Sequence, residues 1–257
     1  TFTNGSASTG GGIHLDGCSP TIVDCVFSGN VTDQGGGGMY CNISDPALEN
    51  CLFENNSSTN YYGGGMINFT SSPTLTDCTF DGNTTDGGGG GAYLEDLAPE
   101  DTVENCDFLN NTAADGGGIQ VAGGSDPVIQ DCTFEDNIAS IDGGGIQVGS
   151  SAPTVIDCFF ARNDASSGGG GINNFPSGNA TVIRGVFEDN TADTGGGAAN
   201  SNDSFPTYED CTFTGNQADG LSTPPGAGAI FSNSGSDPSI SASTICGNIQ
   251  PGTEQIV

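Results

Sequence analysis

Residues 125–148 read SDPVIQDCTFEDNIASIDGGGIQV. The segment runs through Pro127, an apolar Ile129, Asp131-Cys132, Phe134 and Asn137, then a polar stretch, three glycines and Ile146-Gln147-Val148. Its apolar positions alternate every second residue, as in a strand, and Pro, Asn and Gly punctuate it where turns belong. No 3.6-residue period is present. The same order recurs along the chain, anchored by Phe-x-x-Asn at Phe27/Asn30, Phe53/Asn56, Phe80/Asn83, Phe108/Asn111, Phe134/Asn137, Phe160/Asn163, Phe187/Asn190 and Phe213/Asn216. Successive asparagines are 26, 27, 28, 26, 26, 27 and 26 residues apart, and the frame weakens to Ile245/Asn248 after a step of 32.

A fixed period of this length marks a repeat architecture. Helical repeats need helix formers, and leucine-rich repeats need far more Leu. Three short strands and their turns fill about 26 residues, with each strand pairing to its equivalent about 4.8 Å away. The expectation is therefore an all-β parallel β-helix, a single domain over 1–257 of about nine rungs of 26–28 residues.

Alternation assigns sides. After each glycine run, Ile13/Leu15, Met39/Cys41, Ala92/Leu94, Ile119/Val121 and Ile146/Val148 should point in, and His14, Tyr40, Ile67, Tyr93, Gln120, Gln147 and Asn173 out. In the next strand Ile22, Leu48, Leu75, Val103, Ile129, Val155, Val182 and Tyr208 should point in, with the eight Phe stacked as a ladder. The Gly runs never form a phosphate-binding G-x-x-x-x-G-K-[ST] loop; tight turns, where stacked rungs leave no room for a Cβ, account for them.

Units 19–41 (SPTIVDCVFSGNVTDQGGGGMYC) and 125–148 resemble the right-handed parallel β-helix repeats of bacterial surface proteins. They are most similar to the polymorphic-outer-membrane-protein type and to large secreted β-helix proteins. The resemblance covers essentially the whole chain. It implies a right-handed β-helix at a secreted or cell-surface location. It implies little about activity, since this scaffold serves adhesins, passenger domains and polysaccharide-active enzymes alike.

Composition narrows the function. The 257 residues carry 44 Gly, 32 Asp+Glu and only two basic side chains, both Arg, for a formal charge of −30. Nucleic acids and anionic membranes need clustered Lys and Arg, so neither is an expected partner. No apolar run reaches the length of a membrane helix, and the first residues do not form a signal peptide.

Several ladders bear on chemistry. The asparagines Asn30, Asn56, Asn83, Asn111, Asn137, Asn163, Asn190 and Asn216 tolerate turn conformations and can bond amide to amide, satisfying buried backbone in a structural role. Three of them, Asn30, Asn56 and Asn83, begin N-x-S/T sequons but belong to the inward ladder and should carry no glycan. Cys25, Cys51, Cys78, Cys106, Cys132, Cys158 and Cys211 form a thiol ladder without any C-x-x-C pair, so zinc is not expected. Stacked Cβ vectors fit a disulfide poorly, and buried free thiols are expected, with Cys18, Cys41 and Cys246 the better candidates for a bridge. Arg162 falls between Asp136 and Asp189, and Arg184 between Asp157 and Asp210, each as a cation between two stacked carboxylates; a catalytic Arg is the alternative role. Asp33, Asp86, Asp115, Asp142 and Asp193 precede the glycine runs, and Asp115 with Asp142 could share a calcium ion, the one cofactor considered. Stacked acids should raise one another's pKa, so stability should fall as pH rises.

The leading expectation is a non-catalytic, secreted or cell-surface structural or adhesive module, part of a longer precursor. Its open ends would pair with further copies in a filament, and its face would meet a surface glycan or protein. The alternative is a polysaccharide lyase or glycoside hydrolase. The third is an ice-binding protein using the column Thr21, Thr74, Thr102, Thr154, Thr181 and Thr207, interrupted at Ala47 and Val128. A break in the repeat at Asp219–Gly228, with Pro224-Pro225, is the one place that suggests an inserted loop.

Overall fold

The computed structural model describes residues 1–95, 102–220 and 226–250, so residues 221–225 of the Asp219–Gly228 break lie outside it. Among the described residues there is no helix, and the strands stack into four parallel sheets, one of ten strands and three of nine. The coil that starts at Met39 shows the plan. Met39–Asn42 belongs to sheet 1, Ala47–Glu49 to sheet 2, Leu52–Glu54 to sheet 3 and Ser57–Ser58 to sheet 4, before the chain re-enters sheet 1 at Met66–Phe69. Register is kept through sheets 2 and 3, where Phe27 pairs with Phe53, Phe53 with Phe80, and Leu48 with Ile22 and Leu75; sheet 4 has one bulge, between Ala113 and Asp115.

Four strands per coil replace the three expected from the sequence. The extra strand lies in the polar stretch after each Asn, such as Val31–Thr32, Thr84–Thr85 and Thr191–Ala192. Two residues carry no alternation to detect, so the stretch reads as a turn. Its inward position is always small, running Ala7, Thr32, Ser58, Thr85, Ala113, Ala139, Ala165, Ala192 and Ala218. Small side chains let sheet 4 close against the neighbouring glycines.

The core is a set of columns of like residues. Eight phenylalanines from Phe27 to Phe213 are fully buried, with ring centroids 4.4–5.1 Å apart and nearly parallel planes. The rod is thin, so each ring is covered by the coils before and after it rather than by a wide interior. Glycine is required beside this stack. A Cβ on Gly118 would stand 2.6 Å from the Gly145 carbonyl oxygen and 2.9 Å from the Phe134 ring.

The turn from sheet 2 to sheet 3 repeats one left-handed residue: Asp24, Asn50, Asp77, Asn105, Asp131, Asp157, Arg184 and Asp210 all have φ between 51° and 55°. Asn and Asp tolerate this conformation better than other side chains that carry a Cβ. The acidic column flanking Arg184 is thus primarily a consequence of turn geometry.

The turn from sheet 3 to sheet 4 corrects one expectation about the asparagine ladder. The left-handed residue there is not the ladder asparagine but the one before it: Asn55 precedes Asn56, Gly82 precedes Asn83, and Asp189 precedes Asn190, with φ of 52°, 65° and 53°. Asn56, Asn83 and Asn190 themselves are not left-handed, and neither are the other ladder asparagines. Tolerance of turn conformations therefore does not select Asn at these positions. The hydrogen bonds of its amide do.

Candidate functional site

The ladders are structural, and their geometry shows how. All eight asparagines from Asn30 to Asn216 are fully buried, so the sequons at Asn30, Asn56 and Asn83 present no amide to a glycan. Each ladder asparagine donates its Nδ2–H to the Oδ1 of the next and to the carbonyl of the Phe in the preceding coil. For Asn137 these distances are 2.9 Å to Asn163 Oδ1 and 2.8 Å to Phe108 O. Its own Oδ1 accepts from both the main-chain N–H and the Nδ2–H of Asn111, each at 3.0 Å. The pattern is the same at Asn56 (2.9 Å to Asn83 Oδ1), at Asn83 (3.0 Å to Asn111 Oδ1) and at Asn190 (2.9 Å to Asn216 Oδ1). One amide thus serves main chain in two coils.

All ten cysteines are free thiols. Cys25, near the start of the ladder, is partly exposed. The ladder thiols from Cys51 to Cys211 are buried and point at backbone carbonyls, as Cys132 does to Gln130 O (3.1 Å) and Val103 O (3.4 Å). The Cys106 thiol, against which Cys78 is hydrogen-bonded, pushes Cys78 up to about 12. The bridge expected among Cys18, Cys41 and Cys246 is not formed. Cys18 is exposed, whereas Cys41 is buried in the core, and Cys246 lies in the last strand of sheet 3, at the far end of the rod.

Each arginine binds one neighbour of the expected pair. Arg184 forks onto Asp157, Nε–Oδ1 and Nη2–Oδ2 both 2.6 Å, and holds that carboxyl below its ordinary pKa. Arg162 contacts Asp136 (Nε–Oδ1 2.9 Å) and Glu135, not Asp189. A guanidinium reaching back one coil meets both oxygens of one carboxylate, and it cannot also reach forward. With their heads committed to carboxylates and half exposed, neither Arg is set up as a base.

Asp115 and Asp142 do stack, paired in register across a bulge in sheet 4. Burial first, then the Asp142 charge, raises the Asp115 pKa. Asp142 Oδ1 accepts the Gly168 N–H at 2.7 Å. Among the described residues no third His, Cys, Asp or Glu completes a metal-binding group around them.

The exterior of sheet 1 differs from the other faces. One outward column runs His14, Tyr40, Ile67, Tyr93, Gln120, Gln147, Asn173, Ala199 and Phe231, in register throughout. Several of these, expected to face solvent, are in fact covered: Ile67 is fully buried, and Tyr93, Gln147 and Asn173 nearly so. They do point outward; the chain folds over them. Tyr62 stacks on Tyr93 at 4.4 Å, His14 on Tyr40 at 4.7 Å, and Phe69 meets Tyr40, Tyr61 and Tyr93 edge-on at 5.8–6.1 Å. Burial and the Glu95 carboxylate that accepts its hydroxyl raise the Tyr93 pKa. Tyr61 remains exposed on top of this shelf. Farther along, the column turns from aromatic to amide: Gln147 Nε2 donates to Phe175 O (2.9 Å), and Asn173 Nδ2 to Gln147 Oε1 (2.8 Å).

The periodic pattern singled out none of Tyr61, Tyr62, Phe69 or Phe175. The only available signal was aromatic residues breaking the consensus beside the glycine runs and strand ends. The Thr column of sheet 2 is in register from Thr21 to Thr207, with Ala47 and Val128 interrupting it as expected.

No curated protein and no solved structure matches the chain. A family model described as "Right handed beta helix region" matches residues 1–142 and 98–254. Those matches cover nearly the whole length, and the parallel sheets stacked coil on coil agree with that description; the chain belongs to the right-handed β-helix family.

Proposed function

We propose that this is a secreted or cell-surface adhesive module whose outer face on sheet 1 takes a neutral polysaccharide chain. The observation that carries the reading is the aromatic shelf on one face, Tyr61 exposed beside the partly exposed Tyr62 and Phe69, against ladders elsewhere that serve only packing. Aromatic faces pack against the C–H faces of sugar rings, and amides exchange hydrogen bonds with hydroxyls. A charge of −30 with no Lys disfavours anionic polymers and favours neutral ones. The rod supplies what an adhesive stalk needs, a rigid scaffold that presents one face at a fixed spacing.

The test is affinity electrophoresis of the full chain in gels containing neutral β-glucan, xylan or mannan. Retardation that disappears in Tyr61→Ala/Tyr62→Ala is the expected result. Unretarded migration in every gel would remove the glycan from this reading. Fractionation of cells that express the protein tests its location: recovery in the envelope or medium is expected, and recovery in cytoplasm alone would contradict it.

A specific observation favours a second reading. Asp115 and Asp142 are paired across adjacent coils, and burial with the Asp142 charge raises the Asp115 pKa; two carboxyls set apart in pKa are one requirement of a glycoside hydrolase. Release of reducing ends that is abolished in both Asp115→Asn and Asp142→Asn would establish it over the adhesive reading.

A further inference from the structure

On the outer face of sheet 1, past Gln147, the amide column opens into a depression of about 210 Å³ between Phe175 and Phe231. Asp142, Asn173, Thr194 and Asn233 contribute polar atoms to it. Their orientations are set by the protein. Gln147 Nε2 donates to a carbonyl, so its Oε1 faces Asn173 and takes the Asn173 Nδ2–H. Asn173 Oδ1 is therefore turned toward Gly168, where a Cβ would meet it at 2.7 Å and Asp142 Oδ1 at 2.6 Å. Thr194 spends its hydroxyl hydrogen on Ser167 O at 2.8 Å, leaving its oxygen as an acceptor. Asn233 Oδ1 is buried without any donor.

The depression thus presents oxygen acceptors from Asn173, Asp142 and Thr194, while the orphaned Asn233 Oδ1 is closed off from solvent. Acceptors of this kind are matched by a ligand that brings hydrogen-bond donors. No Lys exists in the chain, and the two Arg are committed to carboxylates elsewhere, so an anionic ligand would face Asp142 unopposed. The two phenylalanine side chains add apolar wall. The volume suits one small ring rather than an extended molecule.

We infer that this depression binds one pyranose ring of a neutral saccharide, whose hydroxyls donate to Asn173 and Asp142 beside Phe175 and Phe231. The inference deepens the adhesive reading and rests on it, naming where on that face a single sugar is held. Gly168 is the residue that keeps the acceptors open to the ring. Its φ is not in the left-handed region, so alanine meets no backbone penalty there, and its methyl would displace the two oxygens.

The experiment is isothermal titration calorimetry of the full chain with cellotetraose, xylotetraose, mannotetraose and laminaritetraose, and with tetramethylammonium chloride. At least one tetrasaccharide should bind, and Gly168→Ala and Asp142→Asn should each weaken it about tenfold or more, roughly 1.4 kcal/mol. Tyr61→Ala/Tyr62→Ala should weaken retardation by polymer more than it weakens tetrasaccharide affinity. If Gly168→Ala does not fold, Asp142→Asn decides, because the amide keeps an oxygen for the Gly168 N–H while one acceptor is lost. No heat with any saccharide, equal affinity in the folded variants, or binding of tetramethylammonium in place of sugar would each overturn the site. Polymer retardation that persists in the pocket variants but vanishes in the tyrosine variant would leave the adhesive reading standing without it.

Discussion

Arg184 and Asp157 are equivalent residues of adjacent coils, both left-handed (φ 55° and 52°), and their side chains lock together through two hydrogen bonds of 2.6 Å. The same column joins Asn50 to Asp24 and Asn105 to Asp77, so an amide or guanidinium donor follows a carboxylate acceptor. Turn geometry limits the choice largely to Asn, Asp and Gly, and coil-to-coil bonding accounts for the donors at Asn50, Asn105 and Arg184.

Arg184→Asn should keep the fold with little change in melting temperature, since Asn suits the turn and can still donate to Asp157. Arg184→Val should lower it markedly, because a β-branched side chain is costly at positive φ. The converse applies at Ile43, exposed and held at φ 49°. Ile43→Asn should stabilise by about 1 kcal/mol in urea titration, and a loss of stability would refute the account of these turns.

Phe134 sits between Phe108 and Phe160 at centroid distances of 5.1 and 4.9 Å. Phe134→Ala should cost about 3–5 kcal/mol through lost burial and a cavity. Asn137→Asp should destabilise more than Asn137→Ala. The carboxylate would present oxygen to Phe108 O and Asn163 Oδ1, where Nδ2 now donates, and would bury a charge. Equal effects of the two substitutions would mean that the amide bonds are not what holds the ladder.

Asn68 faces the core between Cys41 and Leu94, fully buried, with neither amide atom hydrogen-bonded. Asn68→Leu should therefore stabilise the protein by about 1–3 kcal/mol, as removal of an unsatisfied buried amide predicts. A denaturant midpoint that falls instead would locate a partner for this side chain.

Burial first, and neighbouring carboxylates second, raise Asp115 and Asp164 above the ordinary Asp range. A raised carboxyl binds more protons folded than unfolded, so its destabilising effect is absent below the unfolded pKa and grows as pH rises through the folded one. Melting temperature should decline across that acid window, and Asp115→Asn should flatten the decline and raise stability at neutral pH. Asp157 acts oppositely: its lowered pKa contributes stability above the unfolded value that is lost as pH falls. Sodium chloride at neutral pH should raise the melting temperature by screening the −30 charge.

Cys18 and Cys246 are exposed, whereas the thiols from Cys41 to Cys211 are buried. Ellman's reagent should titrate these two fast in the native protein and all ten cysteines after denaturation. Rapid native reaction of Cys106 or Cys132 would place the ladder outside the core.

The architecture was legible in the sequence because a coil cannot bury its apolar face alone, so equivalent positions must repeat. Phe-x-x-Asn, the Cys column and the glycine runs are that requirement written out: each stacks on its own copy, and spacing alone sets register. The fourth sheet was not legible, since two-residue strands such as Ser57–Ser58 carry no periodicity and form only because the next coil supplies their hydrogen bonds. The Asp column was legible as a column but its cause was not, for the sign of φ is invisible in composition. The same holds for Asn56, Asn83 and Asn190, whose column was legible while the turn residue proved to be the neighbour before each. The outer face of sheet 1 depended wholly on tertiary structure. Tyr61, Tyr62 and Phe175 belong to no ladder, and only winding of the chain lays them over Tyr93, Gln147 and Asn173, turning positions that alternate toward solvent into a covered aromatic shelf and an amide-lined depression. Repetition determines the scaffold. The departures from repetition, brought together across coils far apart in sequence, make the site.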